Sequence, residues 1–336
     1  MGVDTRPAHG DDDTPRVTML LLACNQQATV GAAIAGALSQ TCPRLEIVIS
    51  DDASTDATWA AIERAVAGYT GPHRLVLNRN PANLGIGAHI DKMVALSQGE
   101  LLFIAAGDDI SLPQRCERVV EAWLAADRRP DLISSNLLDL DEHGQTHATI
   151  RPTDLSTYRN AADWLARPPH VIGAAQAWTR RVFDRFGPLP AGTVAEDWLM
   201  VFRAIVSGGA ITLPEALVQY RRGGISRRRR NLHASDVVER LLKNNRHALV
   251  ELPQLLADAK RAGQLEAVED ALTLQFEREV FVRDVFGASS LSARWQAFVA
   301  APRVPVVWRL RLLVYAACPG LLAPFFALKR LTAGEH

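Results

Sequence analysis

The feature that most constrains this chain is the stretch at residues 100–109, ELLFIAAGDD. Six apolar residues run unbroken from Leu101 to Ala106, followed by Gly107 and two carboxylates, Asp108 and Asp109. Such a run, closed by a turn signal, predicts a strand buried on both faces. In open α/β sheets ligands bind beyond the carboxyl ends of these strands, so the acidic pair is expected at a crevice. Adjacent carboxylates at an apolar edge repel each other and call for a cation. A hard divalent ion carrying a phosphate is the natural partner. The competing reading is a plain strand-to-helix turn, with Ser111 as the cap and Pro113 in the first helical turn.

The neighbouring segments repeat this design. Residues 17–23 (VTMLLLA) and 45–50 (LEIVIS) predict two more buried strands, 74–77 a short one and 131–137 another. Helices are expected over 29–38, 57–67, from the turn at Asn83-Leu84-Gly85-Ile86-Gly87 to 98, and over 112–126. Strands and helices alternating at this spacing imply βαβ units with right-handed crossovers and a parallel sheet. Residues 137–155 are polar and turn-rich and predict a crossing loop. Three strands then end at one rim with polar groups: Asn25, Asp51-Asp52 and Asp108-Asp109. For Asp51-Asp52 alone, helix capping is the simpler account. Two acidic pairs on one rim favour a site for a nucleotide and its metal. The glycine turn at 83–87 is not a dinucleotide fingerprint, because its order differs and it follows the third strand.

Further on, residues 173–190 predict a strand and a short helix with Val182, Phe183 and Phe186 on one side, stopped by Gly187-Pro188. Glu196 and Asp197 open the next helix, whose apolar side is expected to carry Trp198, Met200, Val201 and Ile205. First-turn acids can simply complement the helix dipole. A partly desolvated carboxylate near an acidic rim is also a good general base.

Composition removes several classes. With 37 basic and 37 acidic residues the formal net charge is zero, so no global field recruits nucleic acid, and none is expected as a partner. The four cysteines are scattered without metal-ligand spacing, which suits small buried hydrophobes in a reducing compartment. Residues 1–15 are polar and lack the apolar core of a signal peptide, so a disordered tail and a cytoplasmic location are expected. Arg221, Arg222 and the four arginines at 227–230 form a dense basic run without aromatic interleaving, which gives no support to base stacking. It reads as a lid that clamps a diphosphate or as a solvated face. Helices are expected to dominate from 234 to 286. Residues 312–328 are uncharged, flanked by arginines before and Lys329-Arg330 after, and interrupted by Pro319 and Pro324. Two readings stand: an amphipathic segment in the interface of a membrane, or a helix pair packed into a core.

Taken together, these residues resemble the inverting glycosyltransferases of family 2, which have the GT-A fold. The resemblance covers residues 17–226. It rests on Cys24-Asn25, Gln40-Thr41, Asp51-Asp52-Ala53-Ser54-Thr55-Asp56, Asn83-Leu84-Gly85, Gly99-Glu100 before the acidic pair, the helix from Arg180 to Gly187, Glu196-Asp197 and Tyr220-Arg221. Each motif is weak alone, but their shared order is specific. Cys24 replaces the family's usual aromatic, Gly107 the first acid of its Asp-x-Asp, and His89 stands where members often have Arg.

The resemblance implies an α/β GT-A sheet, Rossmann-like and flanked by helices, as a catalytic domain at 16–230. A mainly helical region at 231–336 follows, membrane-associated at 304–330. It implies transfer of a sugar from a nucleotide-diphosphate donor to a glycan or lipid-linked acceptor. The donor would meet Ala23, Asn25, Asp52, Gly85, His89, Asp108, Arg221 and Arg222. Asp109 would ligate Mn2+ or Mg2+, and Asp197 would deprotonate the acceptor hydroxyl. The protein would then work in the cytoplasm, peripheral on the inner membrane face. The alternative is a nucleotide-sugar or glycan-binding protein of the same fold without catalysis, and a third reading is an RNA-binding module using the arginine run.

Overall fold

The computed structural model describes residues 15–43, 45–221 and 234–318. The expected tail, Arg222 with the arginines at 227–230, and the apolar stretch past 318 lie outside the described residues.

The first half follows the predicted alternation. β1 (Val17–Ala23), α1 (Val30–Leu38), β2 (Glu46–Asp51), α2 (Thr58–Val66), β3 (Arg74–Arg79), α3 (Ile86–Leu96) and β4 (Leu101–Ala106) build a parallel block in the order β3-β2-β1-β4. The unbroken apolar runs are explained by two-sided burial, since successive side chains point to opposite faces. Leu20, Val48 and Leu102 join a core with Ile90 and Met93 of α3. Met19, Ile47 and Phe103 join another with Ile34 and Ile62 of α1 and α2.

The second half departs from a purely parallel sheet. After β5 (Ile110–Ser111) and α4 (Arg115–Ala125), β6 (Leu132–Leu140) runs on past residue 137 and pairs with β7 (Thr146–Ile150). The expected crossing loop at 137–155 is therefore largely a hairpin. Its turn is held by Asp141, whose Oδ1 accepts from the His143 and Gln145 N–H groups at 2.8 Å each. Its apolar members Leu137 and Leu140 are buried.

α5 (Ala161–Ala166), β8 (Ala177–Thr179), α6 (Arg180–Phe186), α7 (Glu196–Ile205) and β9 (Ala210–Arg221) complete the domain. β8 inserts antiparallel between β4 and β6, and the sheet continues as β9 and β5. β9 was not legible because Pro214-Glu215 interrupts it. The structure absorbs them in a bulge: Ser135 pairs with Leu213, Asn136 with Ala216, and Asn136 Nδ2 donates to the Pro214 carbonyl at 2.7 Å.

Beyond the sheet come α8 (Ala234–Arg261), α9 (Glu269–Gly287), α10 (Leu291–Ala300) and α11 (Val306–Ala317). Leu252, Leu255 and Ala259 of α8 enter the same core as α7. The last helices gather around Phe281, Val282, Val285 and Leu312. No helix among the described residues is long and apolar enough to cross a membrane.

Candidate active site

Register places the polar strand ends together. Ala23 pairs with Asp51, and Leu22 with Ala106. The chain then leaves each strand in a turn tied to the next strand: Asp52 N–H donates to the Ala23 carbonyl at 2.9 Å and Gly107 N–H to the Leu22 carbonyl at 2.8 Å. Asn25 and Ala53 both have left-handed backbones, φ 53° and 54°. Asparagine tolerates that region, whereas Ala53 pays on the order of 1 kcal/mol for it. Asn25 is locked there by its neighbours. Its N–H donates to Ser54 Oγ at 2.8 Å, and its Oδ1 accepts from the Thr55 N–H at 2.9 Å.

Neither Asp51 nor Asp52 caps α2, whose N-cap is Ala57. Asp51 is fully buried and closes the turn after β2, accepting from the Ser54 hydroxyl and, at 3.3 Å, the Ser54 N–H. Asp52 instead organises the loop beyond β3. Its Oδ1 accepts from Asn80 Nδ2 at 2.8 Å and the Leu84 N–H at 2.9 Å, and its Oδ2 from the Gly85 N–H at 3.1 Å. A carboxylate has about four acceptor positions, so roughly one remains for a ligand. Gly85 is thus held at Asp52, with φ +75°. His89, expected at the donor, lies on the inner side of α3 beside Ile90 and Met93. Its Nε2 is 2.7 Å from Ser50 Oγ, and that oxygen accepts from Asn78 Nδ2 at 2.8 Å. Burial holds its pKa below the usual histidine range. His89 therefore supports the rim from within the core.

The acidic pair lies where β9 ends. β5 and β9 are antiparallel with Ile110 opposite Gln219, a register that carries Tyr220-Arg221 to Asp109-Asp108. Arg221 N–H donates to Asp109 Oδ1 at 2.8 Å, and Arg221 Nε to the Asp108 carbonyl at 3.3 Å. Burial, then Asp108, push the Asp109 carboxyl up to about 8, and burial raises Asp108 too. Such carboxyls are short of positive charge, which a divalent ion would supply. Among the described residues no three His, Cys, Asp or Glu side chains cluster to hold a metal ion. The hard oxygens of Asp108 and Asp109 fit a hard divalent ion such as Mn2+ or Mg2+ as a partial ligand set. Gly107, which stands in place of the first acid of Asp-x-Asp, is closely packed, its Cα side facing the Leu22 carbonyl and the movable end of Gln26. A Cβ there would meet Gln26 Oε1 at 2.5 Å, and that oxygen accepts from the Cys24 N–H at 3.2 Å.

Asp197 sits one residue into α7. The Trp198 N–H donates to its Oδ1 at 2.8 Å, and a Cβ on Gly173 would come within 3.3 Å of its Cβ. Burial pushes Asp197 up to about 6 and Glu196 up to about 8, with the Glu251 carboxylate adding to both. Glu251, on α8, is itself buried and accepts from the Val194 and Ala195 N–H groups at 3.2 and 2.9 Å, just ahead of α7. Nothing in the sequence marked Glu251, because its partner loop is more than fifty residues away. Arg115 also went unnoticed. Its buried Nη2 donates to the Ile104 and Gln176 carbonyls at 2.9 and 3.2 Å. That fastens β4 to the turn at 173–176, whose Gly173 touches Asp197.

Other motif residues are structural. Gln40 Nε2 donates to the Gly36 and Leu112 carbonyls at 2.9 and 2.8 Å, fixing α1 to the turn after β5. The Arg180 guanidinium closes the end of α3 through the Gly99, Val94 and Ser97 carbonyls.

Comparison with known proteins bears on the family and the fold. Residues 18–179 match the model of Glycosyl transferase family 2. EpsE of Bacillus subtilis, named as a glycosyltransferase, is 30% identical over 139 residues, 41% of this chain and 49% of EpsE. The chain thus spans about half the length of the first of its curated relatives. The succinoglycan biosynthesis protein ExoO of Rhizobium meliloti is 28% identical over 279 residues, 76% of each protein. Among solved structures, the mannosyltransferase PcManGT from Pyrobaculum calidifontis, in complex with GDP-Man and Mn2+, superposes with a TM-score of 0.53 at 20% identity. The match covers 95% of this chain and 84% of that one, and it carries the fold. Residues 18–179 thus match glycosyltransferase family 2, and the chain has the GT-A fold, a mixed α/β sheet with flanking helices.

Proposed function

We propose that this protein is a metal-dependent inverting glycosyltransferase. It moves a sugar from a nucleotide-diphosphate donor to a glycan or lipid-linked acceptor in cell-surface polysaccharide synthesis, in the cytoplasm at the inner membrane face. One observation carries the reading. A single short turn, 173–176, couples the strand that delivers Asp108-Asp109 to the helix that delivers Asp197. The relatives add weight: ExoO is named for polysaccharide biosynthesis, and PcManGT holds a nucleotide sugar with Mn2+.

Asp109, with Asp108 beside it, would hold Mn2+ or Mg2+, which offsets the charge developing on the departing diphosphate. Ala23, Asn25, Asp52 and Gly85 shape the donor rim, and Arg221 borders the diphosphate. Arg222 continues that basic end in the sequence. Asp197 takes the proton of the acceptor hydroxyl as its oxygen bonds the anomeric carbon. The bond from that carbon to the diphosphate breaks on the opposite face, so the configuration inverts and a nucleoside diphosphate leaves.

Asp109→Ala tests the metal assignment without threatening the fold, because it removes a buried carboxyl that lacks a full charge partner. Wild type should show a Mn2+-dependent rise in melting temperature with its matching nucleoside diphosphate, and the variant should lose it. An undiminished shift in the variant would place the metal elsewhere.

Glu251→Gln probes the electrostatics of the base. The amide oxygen can still accept the Ala195 N–H, but the negative charge that helps raise Asp197 is gone. The acid limb of the rate profile should therefore move below its wild-type position near pH 6. A limb that stayed in place would mean that another group titrates there.

A further inference from the structure

The last two helices each expose an apolar stripe. On α10, Leu291, Trp295 and Val299 recur every four residues and stand open, Leu291 at 71% and Trp295 at 56% exposure. On α11, Val307, Leu310 and Val314 form the matching stripe, Val307 at 76%. Their opposite sides are spent: Phe298, Trp308 and Leu312 pack with Phe281 of α9. Large aliphatics at this periodicity belong at an apolar boundary rather than in water.

Charge says what covers them. The whole chain is neutral, yet between Asp284 and Glu335 it has no acidic residue and six basic ones: Arg294, Arg303, Arg309, Arg311, Lys329 and Arg330. Arg303 is engaged by Glu277 at 3.1 Å and by Asp270 at 3.5 Å. Among the described residues Arg294 and Arg311 have no carboxylate partner, whereas Arg309 turns inward, donating to the Phe298 carbonyl and lying over its ring. Arg311 is exposed beside the α11 stripe, and its Nε donates to the Tyr315 hydroxyl at 2.7 Å. Apolar stripes, an exposed tryptophan and an all-basic segment are the chemistry of a helix lying in an anionic lipid interface. A second copy of this chain would bring the same unopposed positive charge to the contact. The sequence after α11, GLLAPFFAL and then Lys329-Arg330, continues the pattern.

We propose that α10 and α11 form a docking surface for an anionic bilayer, with Leu291, Trp295, Val299, Val307, Leu310 and Val314 entering the interface and Arg311, with the half-buried Arg294, supplying positive charge to the headgroups. The surface deepens the reading of an acceptor met at the membrane, and rests on that reading only for its purpose. Its test therefore uses no donor and no acceptor.

Full-length protein is mixed with phosphatidylcholine vesicles with or without phosphatidylglycerol, and floated at low and high salt. Wild type should float with the anionic vesicles, less so at high salt. The double variant W295E/V307E should lose about tenfold or more of that binding. R294Q/R311Q should weaken it chiefly at low salt. All four positions lie outside the acidic rim, so a retained thermal shift with nucleoside diphosphate and Mn2+ certifies folded variants. An unchanged melting curve serves the same purpose if that shift is absent in wild type. A chain ending at Ala317 should still bind.

Wild type that stays off anionic vesicles at low salt overturns the proposal, as does undiminished binding by W295E/V307E. Binding lost only on removing the residues after 317 would also overturn it, as would concentration-dependent dimers abolished by W295E/V307E.

Discussion

Replacing Asp197 by asparagine should lower sugar transfer by about 10²–10⁴-fold, the usual contribution of a general base, while donor affinity and metal dependence stay near wild type. The substitution keeps size and shape, and its amide oxygen can still accept the Trp198 N–H seen at 2.8 Å. What it removes is the site that takes the hydroxyl proton. The pH dependence follows from the same carboxyl. With its pKa pushed up to about 6 by burial, the basic form of Asp197 is lost as pH falls through that value, so the rate should drop on the acid side. That limb should vanish in Asp197→Asn. Glu196 is more deeply buried and raised to about 8, so it is poorly placed to take a proton from solvent-borne substrate. Glu196→Gln should cost much less. A normal rate for Asp197→Asn with a collapse for Glu196→Gln would exchange the two roles. Indifference to both, for a demonstrated activity, would remove the inverting mechanism and favour a binding protein.

Breaking the ion pair between α7 and α8 should destabilise the fold by about 3–5 kcal/mol, the range for removing one partner of a buried charge pair. Arg203 and Asp258 are completely buried, and Arg203 Nε donates to Asp258 Oδ2 at 2.7 Å. The guanidinium also donates to the Gly187 and Pro188 carbonyls, at 3.0 and 3.3 Å, and Gln254 Nε2 meets Asp258 Oδ1 at 2.7 Å. Asp258→Ala would leave the Arg203 cation in the core without its hydrogen-bonded carboxylate. Urea unfolding would read the loss, and a change below about 1 kcal/mol, the value of an exposed pair, would refute burial of this contact. The apolar double variant Arg203→Met with Asp258→Leu should recover much of the stability, since similar-sized hydrophobes often replace buried pairs without loss. The pair also bears on the site. Asp258 and Glu251 lie seven residues apart on α8, about two helical turns, so one side of that helix grips α7 at both ends.

The sequence by itself determined the parallel half of the sheet. Residues 17–23, 45–50 and 101–106 are predominantly apolar runs, and such runs have few other stable placements once helices follow each of them. The rim residues Asn25, Asp51-Asp52 and Asp108-Asp109 were legible because a strand's end fixes where its next residue goes. The tertiary structure alone decided the rest. β9 hid behind Pro214-Glu215, since only a partner strand that tolerates a bulge makes that segment a strand. Residues 137–155 looked like loop because a hairpin with a polar edge gains its apolar burial from β9, which local pattern does not reveal. That His89 is buried was likewise not legible, because only its place on α3 turns it toward Ser50. Glu251, Arg115 and Asp258 act on residues far away in the chain. Their roles depend on long-range hydrogen bonds whose partners are chosen by packing, and no spacing in the sequence encodes that choice.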